Sequence, residues 1–386
     1  MRIAHVITRM IVGGAQENTL YNCQDLIRDF GDDVLLITGP SPGREGTLLD
    51  RTNHQVPVAL APHLVRNIYP WHDVRGYYEL KKILRDFRPD VVHTHSAKGG
   101  MLGRLAATSL RVPAVIHTVH GAPFHPYQSA AARKFFIACE RYAAKRCDKM
   151  ICVADAMTDL MVDAQVAPRE KFTTIYSGME VEPFLQSGDW RNEMRQKLGY
   201  SEEHVVIGKI ARLFHLKGHE FVLAAAKRVI EAVPNVRFLW IGDGLLHDKY
   251  VEEISAAGLT DHFQLAGLVP PTDIPKYCGA MDILVHASLR EGLARALPQA
   301  LLSGKPAVSF DVDGAREVVV TGETGELIPP KDVDQLADAL IRLASDAALR
   351  QRLGEEGRRR AAQVFPHRHM TAEIRKTYEQ VLADKS

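Results

Sequence analysis

Short apolar runs rich in valine and isoleucine alternate along this chain with longer stretches whose apolar positions recur every three or four residues. The first pattern suits strands buried on both faces, and the second suits helices that bury one face. In the first half, IAHVI, DVLLIT, DVVHTH, AVIHTVH, KMICVA and FTTIYSG predict parallel strands. Between them AQENTLYNCQDLIRDF, YYELKKILRDF and ARKFFIACERYAAKR predict helices. The alternation then restarts, and HVVIGKIARL, VRFLWIGDG, HFQLAG, DILVHAS, PAVSF and GELIPP predict a second strand set. Its helices are HEFVLAAAKRVIEAV, IPKYCGA, ARALPQALLSG and DQLADALIRLASD. Such alternation builds doubly wound sheets, so two α/β domains are expected. The segment MEVEPFLQSGDWRNEMRQ, near 180–200, carries turn formers and little periodicity and reads as the join. A last helix, HMTAEIRKTYEQVLADKS, follows Pro366 and reads as detached from the second sheet. The expected division is 1–185, 186–364, and a C-terminal helix at 365–386 packing back on the N-terminal domain.

The bulk numbers agree with this picture. A chain of 386 residues exceeds one ordinary core and suits two. With 48 Lys and Arg against 47 Asp and Glu, it lacks the basic excess of a dedicated nucleic-acid binder. The cysteines, Cys23, Cys139, Cys147, Cys152 and Cys278, are odd in number and form no C-x-x-C pair. They read as reduced thiols of a cytoplasmic protein. The start, MRIAHVITRMIVGG, does not read as a signal peptide, and no apolar run reaches the roughly 18–20 residues a bilayer requires. A soluble protein is expected, or at most one resting on a membrane surface.

Sheets of this class bind ligands at the carboxyl ends of their strands, so a ligand is expected between the two domains. In GKIARLFHLKGHE (208–220) a strand ends just before Arg212 and Lys217. A flat guanidinium fork and a compact ammonium there suit a diphosphate, although solvated loop cations are the plainer alternative. In REGLARALPQALLSGKPAV (290–308) a helix is expected to begin near Leu293 or Ala294, its free N–H groups forming an anion pocket. Pro298 then falls near the first turn, and Gly292 lets backbone approach a phosphate. Glu291 would be repelled by that phosphate unless it faced a sugar hydroxyl. Its plainer role is a helix-start charge, worth under about 1 kcal/mol. MIVGGAQENTL (10–20) places Gly13-Gly14 between strand and helix, without the full G-x-G-x-x-G of a dinucleotide fingerprint. His93, His95, His117, His120 and His125 lie where strands meet loops. The H-x-H of His93 and His95 could hold zinc, but no carboxylate follows at ligand spacing, so polar, ligand-facing histidines are preferred. DVDG (311–314) reads as a turn rather than a metal-holding pair.

Taken together, GGAQ (13–16), HTHSAKGGMLGRLAA (93–107), HTVHG (117–121), YSGMEVEPF (176–184), ARLFHLKG (211–218), WIGDG (240–244), LAGLVP (265–270), SLREGLARALPQALLSGKPAV (288–308) and VTGETGELIPPKD (320–332) resemble the retaining glycosyltransferases of family 4. The resemblance covers nearly the whole chain. It implies the GT-B fold: α/β, with two Rossmann-like doubly wound domains facing each other across a cleft, the first for the acceptor and the second for the nucleotide sugar. It further implies that Arg212 and Lys217 hold the donor diphosphate in place of a metal. Glu291 would accept hydroxyls of the donor sugar, and backbone at Gly292 and Leu293 would meet the distal phosphate. Leu268, in the LAGLV segment, would flank the base. Gly13 and Gly14 would let the first domain close over the diphosphate, and His120 would lie beside the anomeric centre. The family's E-x7-E signature here ends in Gln299, whose amide can still serve a ribose diol but should retune nucleotide binding.

The expected activity is thus metal-independent, front-face transfer from a UDP-, GDP- or ADP-sugar to a hydroxyl of a glycan, a lipid-linked saccharide or a small molecule, with no cofactor. Two alternatives are a sugar-nucleotide epimerase of the same architecture and a zinc hydrolase using His93 and His95. Residues 98–149 hold nine Lys and Arg against Glu140 and Asp148, with Phe135, Phe136 and Ile137 among them. This could be a face resting on the anionic inner leaflet of the cytoplasmic membrane. The alternative is a solvated helix whose aromatics pack inward.

Overall fold

The structure, a computed structural model, describes residues 1–41, 47–49 and 55–385. The chain divides into two units, Met1–Met179 with Pro366–Ser386, and Glu180–Phe365.

The first unit begins with β1 (Arg2–Ile7), α1 (Gly14–Phe30), β2 (Asp33–Thr38), β3 (Val58–Leu60) and α2 (Pro70–Phe87). It continues through β4 (Val91–His95), α3 (Ala97–Ser109), β5 (Ala114–Val119), α4 (Ala130–Ala144), β6 (Lys149–Cys152), α5 (Asp155–Asp163) and β7 (Phe172–Thr174). The strands pair in parallel in the order β3-β2-β1-β4-β5-β6-β7. β4 and β5 are buried throughout, as strands covered on both faces must be. The six predicted strands of this half are all present, whereas β3, α3 and α5 were not foreseen. α3 carries glycines that weaken a helix by about 1 kcal/mol each relative to alanine. Packing explains them: a Cβ on Gly99 would lie 2.9 Å from the Thr8 nitrogen, so the helix sits hard against the strand edge.

The second unit opens with α6 (Glu182–Leu185), a 3₁₀ turn at Ser187–Trp190, and α7 (Arg191–Lys197). Then follow β8 (Val205–Ile210), α8 (His219–Ala232), β9 (Val236–Ile241), α9 (His247–Ala256), β10 (Phe263–Leu265), α10 (Ile274–Ala280) and β11 (Ile283–His286). α11 (Ala296–Leu302), β12 (Ala307–Phe310), α12 (Ala315–Val318), β13 (Gly325–Ile328), α13 (Val333–Ser345) and α14 (Ala347–Val364) complete it. Its parallel sheet runs β10-β9-β8-β11-β12-β13 around a core that includes Phe238, Trp240, Phe310, Leu336 and Leu340. The aperiodic stretch read as a join is helical. Ion pairs anchor it beside buried Phe184 and Met194: Arg191 and Arg195 each reach a carboxylate oxygen of Asp282 at 2.6 Å.

The last helix, α15 (His367–Ala383), belongs to the first unit and packs on α1. Met370, Ile374, Tyr378 and Val381 enter the first unit's core. Ser386, the end of the predicted helix, lies outside the described residues.

Candidate functional site

β8 and β11 are neighbouring parallel strands, so both end on one edge of the second sheet. The loop after β8 carries Arg212 and Lys217, and the loop after β11 carries Glu291. The Leu289 amide donates to the Leu216 carbonyl at 2.9 Å, tying the loops together. Leu216 and Gly218 both have left-handed backbone, at φ 67 and 68. Only glycine fits at 218, since a Cβ there would lie 1.7 Å from the Ala287 oxygen. Lys217 is thereby held between two fixed turns. Its Nζ donates to Glu291 Oε1 at 2.6 Å, and His286 Nε2 lies 3.4 Å from the same oxygen. The Glu291 amide donates to Asp313 Oδ2 at 2.6 Å. Burial opposes the Glu291 charge, but Lys217 and His286 outweigh it and hold the carboxyl well below the usual range. Burial and the adjacent Glu291 charge raise Asp313, against the amide it accepts.

Arg212 is exposed on the same edge, its guanidinium 4.9 Å from the Phe214 ring centre. An exposed fork on the edge that also carries a paired ammonium and a carboxylate gives this edge both signs of charge. It can grip an anion and accept hydrogen bonds from hydroxyls.

Beneath the edge lies a layer of buried polar atoms that sequence reasoning missed. Lys209 Nζ, both His219 ring nitrogens and Ser288 Oγ have no hydrogen-bond partner among the described residues. Desolvation pushes Lys209 down to about 7, with Lys217 lowering it further and Glu291 opposing. Because burial penalises the charged form, the folded protein loses this proton near pH 7 and the unfolded chain near 10.5. The penalty is therefore complete below pH 7 and is relieved as pH rises towards 10.5. Lys209→Met is expected to raise the unfolding free energy by about 1–4 kcal/mol at pH 6, and by clearly less at pH 10. Denaturant titrations at the two pH values measure this; equal gains at both would refute it.

Other predicted positions differ in detail. The helix after Glu291 starts at Ala296, not at 293 or 294, and has seven residues. Gly292 and Leu293 thus lie in the preceding loop, with Leu293 buried, and Pro298 is the third helical residue. Gln299 is half-buried within α11, and Leu268 is exposed in the loop after β10. The DVDG pair is divided: Asp311 binds Arg316 at 2.7 Å, while Asp313 serves the Glu291 amide.

The remaining candidates stand in the first unit. Gly13 precedes α1, which begins at Gly14. His120 follows β5 and is partly exposed. His93 and His95 are buried, and their bonds are taken within the core. His93 Nδ1 lies 2.5 Å from the Tyr378 hydroxyl and its Nε2 2.7 Å from Thr118 Oγ1. His95 bonds His5 and His120. The nitrogens of His5, His93 and His95 come within 4.8 Å of one another. Full burial, no carboxylate among the three and the hydrogen bonds taken up by both nitrogens of His93 and of His95 make this a hydrogen-bonded core cluster rather than an open hydrolytic zinc centre. His117 turns to the other face of the sheet, where it meets Thr94 Oγ1 at 2.9 Å.

Comparison with known proteins bears on the fold and the family. The pattern of the family described as "Glycosyl transferases group 1" matches residues 191–360, and that of "Glycosyltransferase Family 4" matches 12–183. An Escherichia coli UDP-Gal:alpha-D-GlcNAc-diphosphoundecaprenol alpha-1,3-galactosyltransferase is 30% identical over 90% of this chain and 89% of its own. The fold is similar to that of Anabaena Alr3699/HepE in complex with UDP, at a TM-score of 0.83 and 23% identity over 98% of this chain and 100% of the other. It is also similar to sucrose-phosphate synthase from Thermosynechococcus elongatus, at a TM-score of 0.83 and 18% identity over all of both chains. Two parallel-sheet α/β units and matches spanning both halves lead to one conclusion: the chain is a glycosyltransferase of GT-B fold, belonging to family 4.

Proposed function

We propose that this enzyme transfers a hexose from a uridine diphosphate sugar to a hydroxyl of a lipid-linked saccharide, with retention and without a metal. The observation that carries the reading is the Lys217–Glu291 pair on the strand edge that also bears exposed Arg212. In the reaction the bond between the anomeric carbon and the donor phosphate oxygen breaks. The acceptor oxygen bonds to the same face of that carbon, and the acceptor proton passes to the departing phosphate. Arg212 and Lys217 stabilise the charge growing on that phosphate, the duty a divalent cation would otherwise have. Glu291 accepts hydroxyls of the sugar, and His120 serves the reacting sugar as a polar neighbour. No second carboxylate is assigned to a double displacement.

Relatives support the donor class. Anabaena Alr3699/HepE has been crystallised with UDP and with UDP-glucose, and the Escherichia coli relative is named for UDP-Gal and a diphosphoundecaprenol acceptor. A thermal-shift screen of UDP, GDP and ADP and their sugars tests it, followed by NMR of the product's anomeric configuration in EDTA. Uridine selectivity, retention and EDTA-resistant turnover are expected; inversion, or loss of turnover in EDTA, would overturn the mechanism.

The lipid-linked acceptor draws support from α4. Its only acid, Glu140, turns inward to Arg104 at 3.2 Å, both side chains being buried. Outward it presents Arg133, Lys134, Phe135, Arg141 and Tyr142, with exposed Lys145 just past its end. Phe135 is 55% exposed, so it does not pack inward. Arg104 and Lys98, the latter paired with Asp73, drop out of the basic face. No helix of the described residues is long and apolar enough to cross a membrane. Co-sedimentation with vesicles containing anionic lipid is expected at low salt and lost at high salt. No sedimentation at low salt would end the idea.

A further inference from the structure

Three histidines on neighbouring strands of the first sheet form a continuous chain. His5 lies on β1, His95 ends β4, and His120 follows β5. β1, β4 and β5 are adjacent, with His5 level with His93 and His95 level with Thr118. Side chains two apart on a strand share a face, so His93 and His95 project with His5 to the same side. His5 Nδ1 lies 3.0 Å from His95 Nε2, and His95 Nδ1 lies 3.1 Å from His120 Nε2. The first two rings are stacked within 13°, which leaves little freedom to swing away. His93 packs 4.2 Å from His95 and is itself pinned by Tyr378 and Thr118.

We propose that this chain has a direction, and that His5 and His95 act as positioning residues that lock His120 in one tautomer. The far end decides the direction. His5 Nε2 is buried and meets no partner among the described residues. A buried N–H without an acceptor is the costlier way to leave that atom, so Nε2 keeps its lone pair and Nδ1 carries the hydrogen. His5 Nδ1–H then donates to His95 Nε2. Neutral His95 must carry its own hydrogen on Nδ1, which donates to His120 Nε2. His120, accepting at Nε2, is left with its hydrogen on Nδ1. Burial supports the neutral forms, lowering His5 to about 3 and His95 well below its ordinary range. The opposite direction would end in an unpaired N–H in the core.

The consequence is chemical. A His120 of this tautomer is a hydrogen-bond donor at Nδ1 and has no lone pair there with which to take a proton. That suits a reaction in which the departing phosphate, not a side chain, takes the acceptor proton. This consequence rests on the proposed function; the tautomer itself does not.

The full-length protein, labelled with ¹⁵N in histidine, tests the chain through two-bond ¹⁵N–¹H correlation spectra, with signals assigned by single His→Gln variants. His5, His95 and His120 are expected in the Nδ1–H form, the minor tautomer of free imidazole. His95→Leu is expected to release His120 from it and to lower kcat about tenfold or more, with KM for the donor within about twofold. His95→Asn, whose amide nitrogen stands near the place of Nδ1, is expected to restore both. An Nε2–H signal for His120 in the unaltered protein would overturn the chain without any variant having to fold. So would a His120 signal unmoved by His95→Leu. A moved signal with unchanged kcat would overturn the positioning role alone. Absence of transfer from every donor, with the Nδ1–H signals in place, would instead sink the proposed function.

Discussion

Lys217→Ala is expected to lower kcat by about 10²–10³-fold, the usual effect of deleting one preorganised donor aimed at developing charge, equal to about 3–4 kcal/mol of barrier. Arg212→Ala should show a loss of the same order. The two variants separate chemistry from architecture. Lys217 is partly buried and is the strongest partner of Glu291, so its removal leaves a half-buried carboxylate beside His286, a ring that burial holds below its ordinary range. Some loss of stability should accompany its kinetic defect. Arg212 is exposed, so its variant should melt as the unaltered protein does while turning over slowly. Lys217→Arg should recover little, because a planar guanidinium fork does not reproduce the compact ammonium that meets Glu291 Oε1 at 2.6 Å. Steady-state kinetics with donor and acceptor, beside thermal unfolding, decide the matter. Normal turnover by Arg212→Ala would remove the diphosphate role.

Deleting residues 367–386 is expected to leave the protein unable to fold its first unit. α15 contributes four apolar side chains to that core, each worth about 1.5–3 kcal/mol on burial. It also bonds acids the first unit has buried, beside Arg28 on Asp25 and the Met1 ammonium on Asp32. Asp25, with no exposed side-chain surface, accepts from His367 Nδ1 at 2.6 Å and Thr371 Oγ1 at 2.9 Å. Asp32, 1% exposed, accepts from Arg375 Nε at 2.9 Å. Removing a partner from a buried pair costs about 3–5 kcal/mol. The combined loss reaches the whole stability of an ordinary domain, about 5–15 kcal/mol. The truncated chain should be insoluble, or should lose the unfolding transition of its first unit in calorimetry. A soluble truncation whose transition stays within a few degrees of the full chain would refute this. Asp25→Asn is the milder test, since it removes the charge while keeping the shape.

Much of the site can be read in the linear order because the chemistry is local there. Arg212, Lys217 and Glu291 each follow a strand, and a strand followed by a polar loop and a helix puts those residues on a sheet edge wherever the fold is doubly wound. The start of the helix after Glu291 was misread by two or three residues because Ala294 and Arg295 suit a helix as well as they suit a turn. Propensity does not separate the two; the loop's own bonds do, with Glu291 tied to Asp313 and Leu297 to Ala294. Asp313 and His286 carry no local signal. One resembles a turn former and the other a strand residue until a partner from another loop arrives.

By itself, the order of residues determined the two parallel α/β sheets, the family, and which loops bear charge, because hydrophobic period and loop composition depend on neighbours a few positions apart. Tertiary structure alone decided that Lys217 meets Glu291 across 74 positions, that α15 places partners on Asp25 and Asp32, and that α3 forms despite its glycines. It also set three histidines 3.0 and 3.1 Å apart in a row. These outcomes depend on which strands become neighbours and on which buried polar atoms find partners, and neither is encoded in any short window of sequence.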